Sequence, residues 1–109
     1  MHQKNYFAIQ EWNTSTISAI HSCIAACDTI CVYFLGKRPA GESHEDTLNL
    51  FKTIKVGDKE INTNANRIAR ILRIKNMAEY EKRLVYKSYA EKVLKDSERF
   101  LKYVTKELL

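Results

Sequence analysis

Three arginines at three-residue spacing, Arg67, Arg70 and Arg73, are followed at once by Lys75 and Asn76 and then by Tyr80. On a helix such a run makes a basic arc that ends in polar groups, and the chemistry it offers is the gripping of an anion. Guanidinium groups present a planar fork of donors to phosphate or carboxylate, whereas the Lys75 ammonium supplies a point charge. Nucleic-acid binding is therefore expected from Arg67, Arg70, Arg73 and Lys75. The same residues admit a plainer reading: arginines solvated on a helix face with local partners such as Glu60, and Asn76 with Tyr80 forming buried hydrogen bonds that fix the end of the helix.

The charge of the whole chain points the same way. Of a net +5 over 109 residues, residues 1–54 carry four basic and five acidic groups, while residues 55–109 carry fourteen and eight. That asymmetry suits phosphate backbones or an acidic protein, and Lys-rich solvated faces also produce it. With 45% hydrophobic and 28% charged residues, three Gly and one Pro, the composition is that of a folded helical chain, and its length suits one domain over 1–109 with a single core.

Four helical segments are expected to position the basic arc. Asn13 to Ser15 are good caps for a first helix that runs to Gly36, with Ile17, Ile20, Ile24, Cys27, Cys31 and Leu35 on one stripe and alanines over much of the rest. The aromatic segment Tyr6 to Trp12 either extends that helix or packs across its end. A helix apolar on several sides calls for contacts on more than one of them, hence a homodimer. Cys23, Cys27 and Cys31 read as free thiols acting as small core hydrophobes. Ser43 and Asp46 resemble a capping arrangement for a short second helix through Ile54, with Leu48, Phe51 and Ile54 inward. Asn62 to Asn64 offer caps for the third helix, whose inner face carries Ala65, Ile68, Ala69 and Leu72 while the arginines fan out opposite. Ser88 and Glu91 match a reciprocal capping box for a fourth helix to the carboxyl end, with Tyr89, Val93, Phe100, Val104 and Leu108 on its stripe beside Leu94 and Leu101. No segment alternates as a strand does, so the fold class is all-α, an antiparallel four-helix bundle.

Other clusters carry less. His21 and Asp28, seven residues apart on the first helix, suit a hydrogen-bonded pair inside a core or across a twofold axis. His44 beside Glu45 and Asp46 is a possible metal cluster, but first-turn carboxylates complementing the helix dipole account for the acids, and no metal or cofactor is expected. There is no phosphate loop, zinc knuckle or nucleophile elbow. No secretory signal pattern precedes the first helix, and Ser18, His21, Ser22, Asp28 and Thr29 interrupt its apolar run, so a soluble cytoplasmic protein without a membrane span is the expectation.

The order IHSCIAACDTICVYFLGKR, SHEDTLNLF, RILRIKNMAEYE and SYAEKVLKDSERFL resembles the HEPN superfamily of helical bundles, from about His21 to Leu101. The resemblance implies a compact helical dimer and a role either as a ribonuclease toxin or as the partner of a small nucleotidyltransferase in a toxin–antitoxin system. Active members place an Arg and a polar residue on or just after the third helix, with a His four to six positions beyond the Arg. Here Lys75, Asn76 and Tyr80 stand in those places and are the catalytic candidates that the resemblance implies. Tyr, with a reference pKa of about 10, does not act as a base near neutrality as His does. The expectation is thus a noncatalytic or weakly active member that binds RNA, a nucleotide or a nucleotidyltransferase-type protein. An active metal-independent ribonuclease and a plain interaction scaffold are the alternatives.

Overall fold

A computed structural model describes the backbone of residues 2–38, 44–80 and 87–109, and the side chains of residues 14–38, 44–77 and 87–109. Four α-helices make up the described chain, with no strand among the described residues: α1 (His2–Leu35), α2 (His44–Lys52), α3 (Lys59–Tyr80) and α4 (Lys87–Leu108). The longest dimension of the molecule, 50 Å, matches a 34-residue helix rising about 1.5 Å per residue, so α1 spans its full length.

Helix α1 begins about eleven residues earlier than the cap residues suggested. Asn13, Thr14 and Ser15 lie inside it rather than at its start, a modest cost for residues only a few tenths of a kcal/mol to about 0.7 kcal/mol below alanine in helix propensity. Gly36 ends α1 as expected. Its φ of 64° lies in the left-handed region that glycine adopts without strain, and its N–H donates to the Val32 carbonyl at 2.9 Å. The buried stripe is rotated from the expected one. Thr16, Ile20, Cys23, Cys27, Ile30 and Cys31 face inward, while Ile17 is 49% exposed.

Helix α2 ends at Lys52, two residues short of expectation, and Thr53 and Ile54 close it with N–H bonds to the carbonyls of Leu50 and Phe51. The tighter i→i+3 spacing is the usual way to satisfy a frayed last turn. Leu48 and Phe51 are buried and Ile54 packs against the core. Ser43, the expected cap, lies outside the described residues.

Helix α3 starts at Lys59, not near Asn62 to Asn64. Asp58 is the cap: its Oδ2 accepts the N–H of Ile61 at 3.1 Å, immediately after Gly57 has turned the chain at a φ of 81°. Asn64 is instead used inside the helix, donating from Nδ2 to the Glu60 carbonyl at 2.9 Å. Ile61, Ala65, Ile68, Ile71, Leu72 and Ile74 are buried, so the inner face is broader than the expected four residues. Ser88 sits within the first turn of α4, one residue past its start, and Glu91 reaches the Lys87 ammonium at 3.9 Å.

The buried hydrophobic residues of all four helices form one cluster. Phe51 and Phe100, both fully buried, meet edge to face with ring centroids 5.8 Å apart, and Tyr103 meets Phe51 in the same manner at 6.4 Å. Each buried Phe contributes about 1.5–3 kcal/mol by burial, with an increment for the edge-to-face geometry. The three cysteines are free and buried. They fill the seam as small apolar groups, and α1 packs more extensively on α4 than on any other helix. By length and composition Thr14–Leu35 is apolar enough to cross a membrane, although its inward side belongs to this core.

Candidate functional site

The arginines of α3 have separate fates, set by which neighbour each faces. Arg70 looks toward α4, where Asp96 sits on the inner stripe between Val93 and Phe100. Its Nε and Nη2 each donate to one Asp96 carboxylate oxygen at 2.9 Å, a bidentate fork. The Asp96 side chain is 9% exposed and that of Arg70 37%. The Asp96 hydrogen bond raises the Arg70 pKa above its already high ordinary value, outweighing the opposing effect of partial burial. The expectation that all three arginines fan into solvent is therefore corrected at Arg70, whose fork is occupied by a buried carboxylate. An acid buried among apolar residues requires such a partner, because an unpaired charge there costs several kcal/mol.

Arg67 is half-buried, and its Nη1 donates to the Asn64 Oδ1 at 2.9 Å, one turn back along α3. Arg73 is exposed and faces the other flank, toward α2. There it lines an open hollow of about 240 Å³ together with Glu45, Leu48, Ala69, Leu72 and Asn76. Arg73 and Asn76, one turn apart, project to the same side, as i and i+3 residues do. The hollow thus offers a guanidinium, an amide and a carboxylate over an apolar floor. Lys75 is half-buried on a different side of the helix, about 100° from Asn76. Tyr80 is the last residue of α3, and its side chain lies outside the described residues. Of the sequence candidates, the structure brings Arg73 and Asn76 together and turns Arg70 and Lys75 elsewhere.

Two features that sequence reasoning passed over shape the region. Asp96 was legible as the one charged residue on the apolar stripe of α4, a position that demands a cationic partner on a facing helix. Glu45 was read only as a first-turn acid; its place in α2's first turn is also what puts it at the hollow.

A second ion pair joins the two long carboxyl-side helices. The Lys106 ammonium lies 3.2 Å from the Glu60 carboxylate and 5.8 Å from the centre of the Tyr103 ring. Glu60 is thus engaged from α4 rather than by the arginines of its own helix. Burial, with the nearby Glu107, Glu60 and Asp58 carboxylates, pushes the Tyr103 hydroxyl up to about 12. His21 is exposed, and Asp28, half-buried, accepts a hydrogen bond from the Thr47 hydroxyl at 3.4 Å, so the two do not form a buried pair within the protomer.

No family model matches this sequence, and no match to it was found among the curated proteins or the solved structures.

Proposed function

We propose that the chain is a HEPN-like antiparallel four-helix bundle that self-associates as a homodimer through α1. In this reading it binds RNA, or a nucleotide, through the α2–α3 flank, as a noncatalytic or weakly active component of a toxin–antitoxin type of system. The observation that carries the reading is the hollow at Arg73 and Asn76. Arg73 matches a phosphate, Asn76 can pair with a base edge through its amide, Glu45 can accept from an exocyclic amine, and Leu48, Ala69 and Leu72 give a surface for the base. A nucleotide carries a phosphate, a base edge and a ring face to match these groups. The +6 carboxyl half supplies the long-range attraction.

The order of the two ion pairs supports the antiparallel arrangement. Glu60, early in α3, meets Lys106, late in α4, and Arg70 meets Asp96 midway along both. Weak or absent catalysis follows from residue chemistry: at the positions that would hold and protonate a scissile phosphate stand Lys75 and Tyr80, and Lys75 faces away from the hollow.

The test is binding of a short single-stranded RNA to wild type and to Arg73→Glu. At least a tenfold loss, about 1.4 kcal/mol, is expected with the RNA left intact on long incubation. Equal affinity would remove the reading, and degraded RNA would move it to an active ribonuclease. A second reading, a scaffold that binds only protein, draws on the engagement of Arg70 by Asp96 and of Arg67 by Asn64, and it predicts no salt-dependent binding of RNA at all.

A further inference from the structure

The flank of α1 beside its buried stripe carries a pattern that its own bundle uses only in part, through the Thr47 bond to Asp28 and the packing of Ile24 against the core. At 100° per residue, Ile17, His21, Ile24, Ala25, Asp28 and Val32 fall within one arc of roughly 100°, beside the arc that buries Cys23, Cys27 and Ile30. Ile17 is 49% and Val32 41% exposed. His21 and Ala25 are exposed, and Ile24 and Asp28 half-buried. The arc reads alike from both ends about a point between Ile24 and Ala25. An apolar residue stands at each outer position, Ile17 and Val32, and the basic His21 and the acidic Asp28 stand at equal distances inside them.

We propose that this arc is the seam of the homodimer, two α1 helices running antiparallel about a twofold axis between Ile24 and Ala25. The inference rests on the self-association advanced above and goes beyond it by fixing the face and the register. In that register Ile17 packs on the partner's Val32 and His21 meets the partner's Asp28, each contact occurring twice, as an isologous interface requires. Ala25 at the axis carries no bulk to hold the backbones apart. A hollow of about 340 Å³ lined by Ala25, Asp28, Thr29, Val32 and Arg38 opens beside Asp28 and receives the partner's His21 and Ile17 side chains. Asp28 has accepting capacity for this contact in addition to the Thr47 hydroxyl, since an ionised carboxylate offers about four lone-pair sites.

Self-complementary hydrogen bonding, an imidazole N–H opposite a carboxylate, is what selects a second copy over a lipid surface. The stretch Thr14–Leu35 is apolar enough to cross a membrane, yet the arc that would face lipid holds His21 and Asp28 near its centre, where hydrocarbon offers neither a counterpart. A second copy offers both.

Cross-linking tests the register. Ile17→Cys and Val32→Cys proteins are mixed, exchanged and oxidised mildly, with wild type as the control for its own buried thiols. The mixture is expected to form a disulfide-linked dimer, and either variant alone is not, because two copies of position 17 would lie about 22 Å apart along the axis, beyond disulfide reach. Asp28→Lys is expected to weaken dimerisation about tenfold, and His21→Glu together with Asp28→Lys to restore it, with helicity by circular dichroism confirming that each variant folds. A wild-type dimer whose variant mixture fails to cross-link, or an Ile17→Cys protein that cross-links on its own, overturns the register and leaves self-association standing. A wild type that sediments as a monomer at every concentration overturns both, and a monomer that partitions onto phosphatidylcholine vesicles assigns the arc to lipid instead.

Discussion

Arg70 and Arg73 stand one turn apart on the same helix, and nothing in their immediate sequence distinguishes them. One faces α4 and is clamped by a buried carboxylate; the other faces α2 and lines an open hollow. The difference shows that a basic helix face is not one surface. Its residues divide between holding the bundle and meeting a ligand according to what the flanking helices present, and here Asp96 decides the matter on one side and Glu45, Leu48 and the hollow on the other.

The largest expected effect comes from breaking the structural side. Arg70→Ala leaves Asp96 buried without its cation and is expected to cost about 3–5 kcal/mol in a urea unfolding titration. Replacing both partners by apolar residues, Arg70→Met with Asp96→Leu, is expected to recover most of that loss, because no buried charge is then stranded. If the single variant unfolds at the wild-type midpoint, Arg70 is not the structural member of the pair.

Next in size is the alkaline response of the polar groups that the core buries without an ion partner. Burial pushes the Cys23 thiol up, whereas in the hydrogen-bonded Cys27–Cys31 pair Cys27 is pushed up and Cys31 down, so the two oppose each other. A pKa raised in the folded state means that the unfolded chain ionises first. Cys23 therefore takes nothing from stability below the ordinary thiol pKa of 9.0 and weakens the fold as the pH climbs above it. The slope from this thiol is at most about 1.4 kcal/mol per pH unit, and Tyr103 joins above its ordinary value near 10. Unfolding titrations in reductant at about pH 8 and pH 10 are expected to differ in this direction, with a smaller difference in Cys23→Ala. A fold as stable at the higher pH contradicts the buried-thiol account.

The smallest effect on folding is expected at the ligand side. Arg73→Ala removes an exposed side chain and should move the unfolding free energy by no more than about 0.5 kcal/mol. A loss comparable to that of Arg70→Ala would erase the distinction between the two arginines.

The same contrast explains how much the amino-acid sequence could reveal. Periodicity was enough for four helices and for the inward places of Leu48, Phe51, Ile68, Leu72, Val93 and Phe100, because apolar spacing is a property of the helix itself. Boundaries were legible where one residue type dictates the backbone, as Gly36 does, and not where several cap residues compete. Asp58 caps α3, while Asn64, an equally good cap by type, is drawn inside by its bonds to the Glu60 carbonyl and Arg67. The rotation of α1's buried stripe toward Cys23 and Ile30, away from Ile17, could not be read locally, since a helix apolar on several sides leaves the choice of face to its neighbours. For the candidate site, the basic arc was visible and its division was not. That division depends on Asp96, 26 residues away along the chain, whose misfit on an apolar stripe was the available signal.

The measurement that bears most directly on the division is the salt dependence of single-stranded RNA affinity for wild type and Arg73→Ala, compared at several ionic strengths. If Arg73 holds a phosphate, the logarithmic slope falls by about 0.7 in the variant, the share of one contact to a single strand. A slope that stays the same, or wild-type affinity that does not respond to salt, contradicts the account.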